Sequence, residues 1–161
     1  MGRKNNAFGG LRPAGKGNPM LPIEQLRALV QGKKVAFIGA GVSHKQCIEQ
    51  FAALGAQVTL CDQKPDLAAF GDYAGTLRRL NVRLSLGEHY TDGFAGQDII
   101  MRTPGYEYFR PELQAARQAG ALVTSEVELF FEYCPCDIVA VTGSDGKTTT
   151  TTLLAEFLKE A

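Results

Sequence analysis

The chain has 161 residues, 45% of them hydrophobic, with 17 basic and 17 acidic side chains and no formal net charge. That length fits one ordinary domain with room for part of a second, and the apolar content excludes a wholly disordered chain. The neutral balance argues against a general nucleic-acid binder, no apolar run approaches a bilayer span, and four cysteines beside a sizeable core do not make a disulfide scaffold. The chain is therefore expected to be soluble, cytoplasmic and reduced, with no nucleic-acid or membrane partner.

Residues 1–20 carry Arg3, Lys4, Arg12 and Lys16 and no acid, and they are rich in Gly, Asn and Pro. This composition predicts a flexible basic tail. Regular pattern begins at Pro22, which suits a first helical turn. Ile23, Leu26, Leu29 and Val30 recur at helical spacing up to Gly32. Residues 35–38 form a short apolar run ending in glycine, which reads as a buried strand. Ser43 is placed to cap a helix whose apolar face is Cys47, Ile48, Phe51 and Leu54, closed by Gly55. Residues 57–61 are the next strand, stopping at Asp62. Residues 66–80 read as helical with a break near Gly71. Strands follow at 82–86 and 98–101. Pro111 opens a helix ended by Gly120, residues 121–123 are a brief strand, and 126–133 are helical.

Five strands interleaved with helices predict an α/β domain, a parallel sheet with helices on both faces. After Cys134-Pro135-Cys136 the chain restarts. Residues 137–141 read as a sixth strand, then a glycine-containing loop, then a helix with Leu153, Leu154, Phe157 and Leu158 on one face. One strand and one helix cannot bury their own faces, so this stretch reads as the start of a second, truncated domain.

The sharpest chemical signal is the loop Gly143-Ser144-Asp145-Gly146-Lys147-Thr148-Thr149 between that strand and helix. This is the context a phosphate-binding loop needs. Its glycines let backbone N–H groups turn toward phosphate oxygens, and the helix N-terminus favours anions. Lys147 can reach the β- and γ-phosphates, and the Thr148 hydroxyl can hold Mg²⁺. Val141 stands where the first glycine of the G-x-x-x-x-G-K-[ST] pattern belongs.

A second signal, Gly39-Ala40-Gly41-Val42-Ser43, follows the first strand. It matches the first two glycines of the dinucleotide fingerprint, with Asp62 at the spacing of the ribose-binding acid. His44 replaces the third glycine, which weakens a nicotinamide reading and leaves a nucleotide or other phosphate in place.

Other residues weigh less. His44 reads as a solvated helix-start histidine or a phosphate contact, and His89 lies in a loop without a partner. Cys134 and Cys136 lack the second cluster a zinc site needs. Glu126 and Glu128 are two apart and point in different directions on a helix, where a helix-start preference accounts for Glu126. Tyr106, Tyr108 and Phe109 either border a ligand or pack a loop.

Thr142-Gly143-Ser144-Asp145-Gly146-Lys147-Thr148-Thr149 resembles the ATP loop of the Mur ligases, the amide-bond-forming enzymes of peptidoglycan precursor synthesis. That family's loop usually lacks the first glycine. Ile38-Gly39-Ala40-Gly41-Val42-Ser43, Arg102-Thr103-Pro104-Gly105-Tyr106 and Ser125-Glu126-Val127-Glu128-Leu129-Phe130 resemble its D-glutamate-adding branch. Asp145 departs from the Asn common in this loop and adds a negative charge for Mg²⁺ to offset. The resemblance covers roughly residues 33–161.

The resemblance implies a Rossmann-like domain at 21–134 that holds a UDP-sugar, and the start of an ATP-binding domain at 135–161. Gly39, Ala40, Gly41, Val42 and Ser43 would face the diphosphate. Asp62, Gln63 and Lys64 would contact the uracil, and Gly87 would lie against the nucleotide. Gly143, Ser144, Asp145, Gly146, Lys147, Thr148 and Thr149 would bind ATP, with Lys147 and Thr148 catalytic and Thr148 on Mg²⁺. The implied reaction joins D-glutamate to UDP-N-acetylmuramoyl-L-alanine through an acyl phosphate, in a monomer. The family's remaining catalytic groups would lie beyond residue 161, so the chain is expected to bind UDP-sugar and not to ligate alone. Two other readings stay open: an NAD(P)-dependent oxidoreductase, and a non-catalytic nucleotide-sugar-binding module.

Overall fold

A computed structural model describes residues 22–160, so the tail expected over 1–20 lies outside the described residues. These fall into two units, 22–133 and 134–160.

The first unit runs α1 (Pro22–Val30), β1 (Lys34–Ile38), α2 (Val42–Ala53), β2 (Gln57–Asp62), a 3-10 turn (Leu67–Phe70), α3 (Tyr73–Arg79), β3 (Arg83–Leu86), a kinked 3-10 segment (Gly87–Phe94), β4 (Ile99–Met101), α4 (Pro111–Gln118), β5 (Leu122–Thr124) and α5 (Glu126–Tyr133). The five strands pair in parallel in the order β3-β2-β1-β4-β5. The expected parallel α/β sheet is therefore present. The break expected near Gly71 separates the 3-10 turn from α3.

Alternation along each strand splits the core into two layers, because successive side chains leave opposite faces of a sheet. Val35 and Phe37 of β1, Leu60 of β2 and Ile99 and Met101 of β4 pack against Val30, Ile48, Phe51 and Leu77 from α1, α2 and α3. Ala36, Ile38, Cys61 and Ile100, with Val123 of β5, face the other way, onto Tyr90, Phe94 and Leu113. Leu129 of α5 joins the first layer. A sheet buried on both faces explains why its strands read as continuous apolar runs.

Two local expectations are corrected. Ser43 does not cap α2: the helix begins at Val42 behind Gly41, with no side-chain cap. The hydroxyl of Ser43 is drawn away to Glu126 on α5. Residues 137–141 do not form the predicted sixth strand. A strand needs a ladder partner for its backbone N–H and C=O groups, and the described residues of the second unit supply none. What that unit keeps is the loop and α6 (Lys147–Glu160). Leu153, Phe157 and Leu158 on α6 are exposed, the apolar face its spacing predicts.

Candidate functional site

Parallel strands in register bring their carboxyl ends to one edge. The pairings Ile38 with Cys61, Asp62 with Leu86, Phe37 with Met101, and Met101 with Thr124 place the exits of all five strands there. In an open parallel sheet this edge binds ligands, at the point where the strand order reverses. Here that point lies between β1, which leads to β2, and β4, which leads to β5.

The glycine turn leaves β1 at this point. Gly39 has φ +76°, a left-handed conformation open to glycine, and its N–H donates to the Cys61 carbonyl at 2.8 Å. The chain then enters α2, whose first-turn N–H groups have no partner within the helix. Val42 at that entry is 86% exposed, so the helix start faces solvent. Beside it, the Asp62 carboxylate accepts from the Ala40 N–H at 3.4 Å and the Lys64 N–H at 3.0 Å. Gly87 donates its N–H to the Lys64 carbonyl at 2.9 Å, so the exits of β2 and β3 are tied together. The Lys64 ammonium turns back to the Ala69 carbonyl at 3.0 Å and lies 4.4 Å over the Phe70 ring. Gln63 is exposed. The sequence-picked residues of the first unit thus occupy one continuous edge.

Two exits beyond those residues lie on the same edge. After β4, Arg102 pairs with Glu128 at 3.0 Å, and its backbone N–H donates to the Thr124 carbonyl at 2.8 Å. After β5, Glu126 accepts from Ser43 and faces His44. His44 is fully buried, which corrects its reading as a solvated histidine. The fingerprint carried that signal: its third glycine marks where helix packs closely on strand, so a side chain there has nowhere to go but inward. The contact to Glu126 spans 82 to 83 residues of chain, and local periodicity carries no such information.

The aromatic cluster packs the loop after β4. The buried Tyr106 hydroxyl donates to Glu112 at 2.6 Å, and that carboxylate also holds Arg110 at 2.8 Å. Burial, then the bond to Glu112, pushes the Tyr106 phenol well above its ordinary range. Tyr108 lies beneath Arg117 at 3.7 Å and Arg102 at 5.4 Å, while Phe109 is exposed. His89 is exposed, and the described residues contain no cluster able to hold a metal through His, Cys, Asp or Glu. A cavity of about 440 Å³ opens at the opposite edge, between Lys34, Gln57, Asn81 and Arg83, away from all these groups.

In the second unit, Lys147 is the first residue of α6, and its ammonium donates to the carbonyls of Gly143 and, at 3.0 Å, Ser144. Gly146 takes φ +73° just before the helix, and its carbonyl accepts from Thr150 at 2.9 Å. The loop therefore curls around its own lysine at a helix N-terminus.

The family model for the Mur ligase MurD-like N-terminal domain matches residues 33–125. The chain is 46% identical over 138 residues to the UDP-N-acetylmuramoylalanine–D-glutamate ligase of Acetivibrio thermocellus, covering 86% of this chain and 29% of the relative. It is 44% identical over 138 residues to the enzyme of the same name from Clostridium botulinum strain Loch Maree, covering 86% and 30%. The chain thus spans less than a third of the length of these relatives. Among solved structures, a murein peptide ligase from Psychrobacter arcticus shares the fold at a TM-score of 0.52 and 23% identity, over 77% of this chain and 26% of that one. The UDP-N-acetylmuramate–alanine ligase of Thermotoga maritima aligns at a TM-score of 0.50 and 25% identity, over 79% and 29%. These matches favour neither alternative reading, and together with the sheet order and the glycine turn they place the chain in the Mur ligase family, as a MurD-like N-terminal domain.

Proposed function

We propose that this chain is the UDP-sugar-binding part, with the beginning of the ATP-binding part, of a ligase that adds D-glutamate to UDP-N-acetylmuramoyl-L-alanine in the cytoplasm. The observation that carries the reading is the gathering of Gly39 to Ser43, Asp62 to Lys64 and Gly87 on one sheet edge, in a chain 46% identical to such a ligase. In this reading the exposed start of α2 receives the diphosphate through backbone N–H groups. Asp62, Gln63 and Lys64 line the uracil. Asp62 also orders the turn, since it holds the N–H groups of Ala40 and Lys64. Gly87, without a side chain, lets the nucleotide lie against the backbone.

The loop of the second unit suits a nucleoside triphosphate. Its ammonium already rests on loop carbonyls at a helix N-terminus, and Thr148 adjoins it. Lys147 would bind the β- and γ-phosphates, and the Thr148 hydroxyl would hold Mg²⁺. ATP with Mg²⁺, when bound, supplies the phosphoryl group that activates the muramoyl-alanine carboxylate toward the D-glutamate amine. The task of these residues is positioning and charge neutralisation.

Calorimetric titration with UDP-N-acetylmuramoyl-L-alanine, run beside NADH, tests the reading. Saturable binding of the UDP-sugar, weakened by Asp62→Ala, supports it. Binding of NADH alone overturns it.

A further inference from the structure

His44 sits in the first turn of α2, fully buried, with its ring edge-on to Phe37 at 5.3 Å. Its Nδ1 lies 2.9 Å from the carbonyl oxygen of Gly39. A carbonyl only accepts, so Nδ1 carries a proton. Its Nε2 lies 3.6 Å from Oε2 of Glu126, and neither of these two buried atoms has a hydrogen-bond partner among the described residues. The other oxygen of Glu126 is taken by the Ser43 hydroxyl. Glu126 also opens α5, and a helix N-terminus favours a carboxylate over a carboxyl. A neutral His44 would then aim a lone pair at the buried Oε2 of that carboxylate, which is costly where water does not screen it.

Neighbouring groups do not offer another solution. Lys45 lies over the Tyr73 ring at 5.0 Å, and Glu128 is held by Arg102. Glu49 acts on Tyr73, and Cys47 is a thiol whose ionisation is suppressed, first by burial and then by the charge of Glu126.

We infer that His44 is an imidazolium, donating one N–H to Gly39 and the other toward Glu126, and that this cation is the positioning residue of the glycine turn. It ties β1, α2 and α5 together at the switch point. By holding the Gly39 carbonyl inward, it leaves the N–H groups at the start of α2 facing the ligand side. The protonation stands on geometry alone, whereas the consequence for binding rests on the diphosphate reading given above.

The chain has two histidines, and the exposed His89 serves as the internal reference. Long-range ¹H–¹⁵N correlation spectra of the full chain at neutral pH should show both ring nitrogens of His44 protonated. In Glu126→Gln one of them should lose its proton. An unprotonated ring nitrogen in wild-type His44 overturns the inference, as does a spectrum that Glu126→Gln leaves unchanged. The wild-type spectrum decides even where the variant fails to fold. Titration with UDP reads the positioning role: His44→Phe keeps the ring on Phe37 and should bind about tenfold more weakly. Equal affinity overturns that role. Failure of the wild type to bind UDP overturns it together with the diphosphate reading, and the spectrum still decides the protonation.

Discussion

The carboxylate of Asp62 reaches across from the end of β2 to the turn leaving β1, where its Oδ2 accepts from the Ala40 N–H at 3.4 Å. Its other oxygen holds the Lys64 N–H at 3.0 Å. One side chain thus fixes two backbone segments of the candidate site while the Gly39–Cys61 backbone bond holds the strands together regardless. Asp62→Ala should therefore weaken UDP-sugar binding about tenfold, the scale of one charge-assisted hydrogen bond, with little loss of stability. Calorimetric titration and thermal unfolding of the same sample separate the two. A large drop in melting temperature with unchanged affinity would assign Asp62 to the fold alone.

Gly93 packs against the second core layer with no room to spare. A Cβ there would lie 2.6 Å from Cys61 Sγ and from Ser85 Cβ, far inside van der Waals contact. Both neighbours sit on strands, so neither side chain swings away cheaply. Gly93→Ala should cost about 1–3 kcal/mol through overpacking. Urea unfolding should show a lower midpoint with an unchanged slope.

Tyr108 offers a face to two guanidinium groups, Arg117 at 3.7 Å and Arg102 at 5.4 Å. This stack helps bind the loop after β4 to α4. The attraction comes from the ring and not from the hydroxyl. Tyr108→Phe should be nearly neutral and Tyr108→Leu should lose about 1 kcal/mol or more. Equal losses in the two variants would locate the stabilisation in the hydroxyl and not in the ring.

Most of the fold was legible because it rests on local signals. The apolar runs at β1 and β2, the glycine breaks and Pro111 each mark an element without reference to distant chain, and the five strands appear where those signals put them. The same is true of the glycine turn, whose chemistry lies in consecutive residues. What was not legible is what depends on partners far along the chain. Ser43 is a good N-cap residue by type, yet its hydroxyl goes to Glu126, 83 residues away. Residues 137–141 have strand composition, yet composition cannot supply the neighbour that makes a strand. His44 reads as exposed by type and is buried by its position under the turn.

The buried thiol of Cys61 gives the unit a definite alkaline limit. Burial raises its pKa from the ordinary 9.0 to about 12. Between those values the folded chain keeps a proton that the unfolded chain has released. The unfolded state binds fewer protons there, so stability falls as pH rises. The contribution is whole below pH 9 and is lost as pH climbs toward 12, on the order of 4 kcal/mol in all. Tyr73, raised from 10.0 to about 12 by burial and then by Glu49, adds to the loss in the upper part of the same window. Denaturant unfolding at a series of alkaline pH values should thus show stability declining from near pH 9. Cys61→Ala should start lower, because it leaves a cavity, and should decline less steeply from pH 9. Cys47, also raised by burial and then by Glu126, still titrates there, until Tyr73 and Tyr106 add their losses above pH 10. A variant that declines from the same pH with the same slope would show that another group sets the limit.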